Sequence, residues 1–194
     1  MLNFKKIAIF ASGAGSNAEN IIKYFENSDI GKVKIVFCNV PNAYVVTRAS
    51  GLGVPVMIFS RDEFYNSNKI INNLLAEETD LIVLAGFLWL IPKNIIQLFD
   101  NKIINIHPAL LPSYGGKGMF GENVHKAVIA DGKKESGITI HYVNEKYDDG
   151  NIIFQAKCEI TSADTPATLA QKVHALEYEF FPKIIESVLI NLSC

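Results

Sequence analysis

Cysteine is scarce in this chain: there are three in 194 residues, Cys38, Cys158 and Cys194, far apart and odd in number. That argues against a disulfide framework and a clustered zinc site, since both need grouped ligands. It points instead to a reducing compartment. A basic stripe is missing as well. With 18 Lys and Arg against 20 Asp and Glu the net charge is −2. The cations are scattered as on a solvated surface, so no nucleic-acid partner is expected. No apolar run is long enough to span a membrane. The opening run, MLNFKKIAIF, is soon broken by Ser12 and Gly13, which argues against a signal peptide too. The expectation is a cytoplasmic protein. Repeats, low-complexity tracts and linkers are also absent. Hydrophobic residues make up 49 % of the chain, enough for a sizeable core, and the length suits one domain over 1–194.

Short runs rich in Ile and Val alternate with amphipathic stretches. Lys6–Ala11, Val33–Cys38, Val54–Ile58, Leu81–Ala85 and Ile103–His107 read as buried strands, with Cys38 a small buried hydrophobe. Helices are expected at Ala18–Asn27, Val45–Leu52, Asp62–Glu78 and Pro92–Leu98. This rhythm predicts βαβ units and a parallel sheet. After His107 it changes to a Gly-rich loop, a helix near Glu122–Ala130, strands at Gly137–Tyr142 and Ile152–Glu159, and a last helix from about Thr165 to Leu192 with Asp164 as N-cap. Ligands of open α/β sheets bind at the carboxyl ends of strands. The segments after Ala11, Ala85 and His107 are therefore the candidates.

The first is Ser12-Gly13-Ala14-Gly15-Ser16-Asn17. Glycines between a strand and a helix let backbone N–H groups approach an anion. The loose dinucleotide fingerprint is met, but the second strand ends Phe37-Cys38-Asn39-Val40 without the acid that would hold a ribose. A phosphate monoester is the better candidate, and a plain strand-to-helix turn is the other reading.

The second is Asn105-Ile106-His107-Pro108. Residues two apart on a strand share a face, so an amide donor and an imidazole stand together where Pro108 stops the strand. That pairing suits acyl transfer: the amide can donate to a developing oxyanion and the imidazole can move protons near neutral pH. A core histidine satisfied by its neighbours is the alternative. The third is Tyr147-Asp148-Asp149-Gly150, which reads either as an exposed turn or as a carboxylate set beside His107, raising its pKa and fixing its orientation.

In this order and at these separations, SGAGSN, Leu84–Ile91, INIHPALLPSY, ITIHYVNEKYDDGNIIFQ and the last helix resemble the folate-dependent formyltransferases over nearly the whole chain. Among these the resemblance is to the phosphoribosylglycinamide formyltransferases. It implies a three-layer fold, a seven-stranded, mostly parallel twisted sheet flanked by helices. The N-terminal half, about 1–100, would be Rossmann-like and hold the phosphate; the C-terminal half, about 101–194, would hold catalysis and folate. The implied reaction moves the formyl group of 10-formyltetrahydrofolate to the amine of glycinamide ribonucleotide, in a monomer or homodimer. By the same resemblance Gly15, Ser16 and Asn17 bind phosphate, Glu177 contacts the ribose, and Asn105, His107 and Asp148 catalyse. Arg61, Leu88, Trp89, Leu90, Ile91, Asn105, Val143 and Asn144 face the folate, and no metal is implied.

Two features depart from the family pattern. Trp89 stands where many members carry a basic residue, and the loop Tyr114–Gly121 is longer and richer in glycine, either a lid or a slack surface loop. His125 falls near a family histidine, with a helix-surface role an equal reading, so it is not counted among the catalytic residues. The expected mechanism is direct attack by the amine, with Asn105 and protonated His107 donating to the oxyanion and Asp148 keeping His107 charged. A deformylase and a tRNA formyltransferase are the related alternatives. Pro108 after His107 argues against the first and the acidic balance against the second. A nucleotide-binding module without catalysis is the unrelated one.

Overall fold

The structure, a computed structural model, describes residues 4–192; Cys194 lies outside the described residues. The first half runs β1 (Lys5–Ala11), α1 (Ser16–Phe25), β2 (Gly31–Cys38), α2 (Tyr44–Gly51), β3 (Val56–Ile58), α3 (Arg61–Tyr65), α4 (Lys69–Ala76), β4 (Leu81–Leu84) and α5 (Lys93–Leu98). The second runs β5 (Ile103–His107), α6 (Glu122–Ala130), β6 (Glu135–Tyr142), β7 (Ile152–Glu159) and α7 (Pro166–Asn191). One seven-stranded sheet has the order β3-β2-β1-β4-β5-β6-β7. Its first five strands are parallel, and β6 and β7 are antiparallel.

Side-chain alternation along the strands separates two cores. Ile7, Ile9 and Ala11 of β1, Val36 of β2, Val83 of β4 and Ile104 and Ile106 of β5 pack with α1, α2, α6 and α7. Ala8, Phe10, Phe37, Ile82, Leu84 and Ile103 pack on the opposite face with Phe64, Ile70, Leu74 and Ile95 of α3, α4 and α5. Strands apolar on both faces are what a covered parallel sheet requires. On the second face Phe10 stacks on Phe37 at 4.6 Å and meets Phe87 edge-on at 5.3 Å. Such pairs contribute roughly 0.5–1.5 kcal/mol each beyond their burial, and they fix the segment that carries Trp89.

Two expected elements differ. The stretch 62–78 is not one helix, because Ser67 turns its hydroxyl to the Glu63 carbonyl at 2.7 Å and accepts from the Lys69 N–H at 3.2 Å. This local bonding competes with the helical ladder and divides α3 from α4. The N-cap of α7 is Thr165 rather than Asp164: Thr165 and Thr168 exchange side-chain and backbone bonds as a capping box. Asp164 instead accepts from Thr161, Thr168 and Lys172.

The chain passes from β1 to β2 and β3 on one side, then returns to β4 on the other side of β1. The carboxyl ends of β1 and β4 thus diverge into a crevice, the place where such sheets bind ligands. Ser12 spans it, donating its N–H to the Gly86 carbonyl at 3.0 Å and accepting from the Leu88 N–H at 3.1 Å.

Candidate active site

A cavity of about 840 Å³ opens at this edge of the sheet. It runs from the β1–α1 turn, past the end of β5, to the segment after β4. A smaller recess of about 50 Å³ adjoins it under Trp89, Leu90 and Ile91.

One end is made by backbone. Gly15 is the N-cap of α1 in the left-handed region, φ 73°, and no side chain caps the helix. Its first-turn N–H groups are left for a ligand. A Cβ at Gly15 would overlap Val45 of α2, so only glycine allows this approach. Ser16 and Asn17 line the cavity. Asn17 donates to Glu177 of α7 at 2.9 Å, and the same carboxylate oxygen meets His174 Nδ1 at 2.9 Å. Glu177 is 5 % exposed. Its hydrogen bond raises the pKa of His174, against burial. The Oδ1 of Asn17 is buried and without a partner among the described residues.

The middle is polar. Asn105 and His107 share a face of β5, and antiparallel pairing sets His141 opposite Asn105 and Thr139 opposite His107. The connection after β6 folds over this face and brings in Asp148, at φ 52° and with its side chain 11 % exposed. Its Oδ2 stands 3.5 Å from His107 Nδ1 and accepts from the Gly116 N–H at 2.9 Å. Its Oδ1 accepts from Asn105 Nδ2 at 3.4 Å. His107 Nε2 donates to the Tyr114 carbonyl at 2.8 Å. The three sequence candidates are therefore together, and the two adjacent carboxylates part company: Asp149 faces solvent and bonds Asn144 at 3.1 Å.

The electrostatics correct one expectation. Burial lowers the His107 pKa and outweighs the Asp148 charge and the Tyr114 carbonyl, which raise it. A resident charge on the ring is thus not what Asp148 achieves. Desolvation pushes the Asp148 carboxyl up, yet it is held below its ordinary value, the Gly116 N–H donating to it at 2.9 Å.

The far end is aromatic. Leu88 and Trp89 line the main cavity; Leu90, Ile91 and Val143 line the recess. Trp89 packs edge-on to Phe59 at 6.0 Å and against Tyr65 at 6.1 Å. The guanidinium of Arg61 lies 5.0 Å from the Tyr65 ring centroid and 5.5 Å from that of Trp89. Asn144 lines neither cavity; its side chain is spent on Asp149 and the Lys146 N–H.

Three further histidines belong to the site. His125 is not on the helix surface: it is 4 % exposed, lines the cavity, and its Nδ1 has no partner among the described residues. His174 sits one helical turn before Glu177, an i, i+3 signal that was available. His141 was visible only once β6 was registered against β5. The Gly-rich loop is part of the wall, through Gly116, Lys117, Met119 and Gly121. Among the described residues no cluster of His, Cys, Asp and Glu is arranged to hold a metal ion, and no helix is long and apolar enough to cross a membrane.

Residues 5–185 match the formyl transferase family. The chain is 39 % identical over 191 residues to phosphoribosylglycinamide formyltransferase of Bacillus subtilis, covering 95 % of each. It is 36 % identical to the chloroplastic phosphoribosylglycinamide formyltransferase of Arabidopsis thaliana, of which it spans 65 %. Of the corresponding Vigna unguiculata protein it spans 61 %. The crystal structure of phosphoribosylglycinamide formyltransferase from Anaplasma phagocytophilum superposes with a TM-score of 0.88 at 31 % identity, over 97 % of this chain and 89 % of that one. The chain therefore belongs to the formyl transferase family.

Proposed function

We propose that this protein transfers the formyl group of 10-formyltetrahydrofolate to the amine of glycinamide ribonucleotide. The observation that carries the reading is the Asn105–His107–Asp148 cluster, which lines one cavity with an uncapped helix N-terminus and borders the adjoining aromatic recess. An anionic nucleotide fits the first and a flat heterocycle the second, so the amine and the formyl carbon meet over the cluster. Relatives that bear this activity in their names support the choice of substrates. The sparse cysteines favour a cytoplasmic setting.

The phosphate lies on the N–H groups at Gly15, Ser16 and Asn17, and Glu177 accepts from the ribose hydroxyls. The amine attacks the formyl carbon directly, and negative charge develops on the formyl oxygen. Asn105 donates to it the Nδ2–H that otherwise points to Asp148 Oδ1 at a long 3.4 Å. His107 adds a second donor by turning its Nε2–H from the Tyr114 carbonyl to the new oxyanion, so a hydrogen bond is exchanged rather than created. Preorganised donors of this kind supply roughly 10²–10³ in rate each. Asp148 orients the ring and stabilises the imidazolium as a proton passes from the amine to the folate nitrogen; the bond between that nitrogen and the formyl carbon then breaks, the carbonyl re-forms on the new amide, and tetrahydrofolate leaves.

The test is a spectroscopic assay of the purified chain with 10-formyltetrahydrofolate, with and without glycinamide ribonucleotide. Deformylation that requires the nucleotide, with formylated nucleotide as product, is the expected result. Deformylation without it identifies a hydrolase. No reaction in either case removes this acceptor.

A further inference from the structure

His141 touches the catalytic cluster from the neighbouring strand. Its ring is 2 % exposed, so its hydrogen bonds meet little competition from water. Nδ1 stands 2.8 Å from the carbonyl oxygen of Tyr142. A carbonyl only accepts, so Nδ1 carries a proton. Nε2 stands 3.1 Å from Asn105 Nδ2. An amide nitrogen only donates, so Nε2 is the accepting atom and the ring is the neutral Nδ1–H tautomer.

This arrangement orients the amide. One N–H of Asn105 is held by His141 Nε2, and the other points toward Asp148 Oδ1 at 3.4 Å. A reversed amide would set its oxygen against two acceptors at once, a lone pair on one side and a carboxylate on the other. A protonated His141 would do the opposite. Its Nε2–H would face the amide N–H, pair with Asp148 Oδ1 at 3.7 Å, and favour the carbonyl edge of Asn105.

Backbone geometry sets the ring. The pairing of β6 with β7 shifts register between Ile140 and His141, skipping Ile153 of β7, and such irregularities re-aim side chains beside functional sites. The Tyr142 carbonyl that fixes the tautomer is also the atom that packs on Gly150, where a Cβ would overlap it. The turn carrying Asp148 and the proton position on His141 are thus tied to one peptide group.

We propose that His141 is a positioning residue: as the neutral Nδ1–H tautomer it accepts one N–H of Asn105 and so fixes the amide with its second N–H, held only by the long bond to Asp148 Oδ1, ready for the reacting centre. The consequence for turnover rests on the formyl-transfer reading; the tautomer does not.

The experiment uses the full chain labelled with ¹⁵N-histidine. Long-range proton–nitrogen correlation at neutral pH, with His141 assigned from the signals lost in His141→Gln, should show a protonated Nδ1 and an unprotonated Nε2. A protonated Nε2 overturns the proposal whether or not the chain transfers a formyl group. Turnover is the second readout. His141→Phe, which keeps the ring shape and removes the acceptor, should slow turnover by about tenfold, and up to the roughly 10²–10³-fold loss of a missing oxyanion donor. KM for both substrates should stay within about twofold. His141→Gln, whose side-chain oxygen can accept from Asn105, should recover most of that loss. A His141→Phe variant with normal turnover, or one that raises KM for the folate alone, overturns the proposal. If His141→Phe does not fold, the tautomer measurement on the unaltered chain decides.

Discussion

The imidazole of His107 is held between the Tyr114 carbonyl, 2.8 Å from Nε2, and the Asp148 carboxylate, 3.5 Å from Nδ1. Both neighbours favour the charged ring, yet burial at 3 % exposure wins and the pKa falls below its ordinary 6.5. The unfolded chain therefore binds a proton at this residue at a pH where the folded chain does not. His107 stabilises the fold fully above 6.5, and that stability is lost as pH falls toward the folded value. Asp148, whose pKa is lowered, holds its contribution above the ordinary carboxylate value and loses it further into acid.

The first prediction follows from that sign. Urea midpoints of the native chain should fall between pH 7 and pH 5, roughly the range in which an ordinary histidine titrates, and His107→Gln should flatten the fall. Proton NMR should place the His107 midpoint below 6.5. Equal slopes in the two proteins, or a midpoint above 6.5, would mean that the Asp148 charge governs the ring after all.

Gly150 carries the second prediction. It packs so closely on the Tyr142 carbonyl that a Cβ would overlap the oxygen. Relief requires moving the turn, and with it Asp148 and the bonds to Asn105 and Gly116. Gly150→Ala should cost about 1–3 kcal/mol of stability, as overpacking does, and should lower turnover roughly 10²–10⁴-fold. Asp148→Asn keeps the turn and should lower turnover alone. Thermal melts beside initial rates separate the two; a Gly150→Ala protein with unchanged rates would show that the turn does not set Asp148.

How much of this was legible follows from the range of each signal. The seven strands announce themselves because apolar runs bounded by turn residues are local, and β5 and β7 begin and end where the pattern places them. The break between α3 and α4 was missed because Ser67 acts through a hydroxyl that a hydrophobic pattern cannot see. Asn105 and His107 share a face by alternation alone. Asp148 reaches them only through the fold-back after β6, and its left-handed backbone leaves no periodic trace. The setting of His125 was hidden for a similar reason: its neighbours in the cavity include His174 and Glu177 of α7, far along the chain.

His174 leads to the third prediction. It lines the cavity and is bonded to Glu177, which raises its pKa. A raised histidine contributes as a cation below its ordinary 6.5 and loses that contribution as pH rises through its folded value. It stands on the phosphate side of the site. KM for the nucleotide should therefore increase as pH rises above neutrality while KM for the folate does not. His174→Gln should raise the nucleotide KM about two- to fivefold at mildly acid pH, the scale of a partly exposed ion pair, and remove most of its pH dependence. A parallel change in both KM values would place His174 outside the nucleotide subsite.

Arg61 gives the last prediction. Its guanidinium rests on Tyr65 and Trp89, and among the described residues no carboxylate forms an ion pair with it. Stacking holds the planar fork still while leaving its N–H groups to a ligand, the arrangement that suits a carboxylate. On the formyl-transfer reading the ligand is a folate, which ends in such a group, and Arg61 lines the main cavity beside Trp89. Trp89 then serves as the platform for the cation, which explains how an aromatic residue can occupy a place where a second charge would be expected. Arg61→Ala should raise KM for the folate roughly 10- to 100-fold, the value of a hydrogen bond to a charged group, with turnover at saturation little changed. Arg61→Lys should recover little, because an ammonium neither stacks nor binds in two places. Trp89→Ala should resemble Arg61→Ala more weakly, since it frees the cation without removing it. Initial-rate kinetics with folates bearing and lacking the terminal carboxylate decide the matter: if removing that carboxylate leaves the Arg61→Ala penalty intact, the arginine holds the site together and does not bind the folate tail.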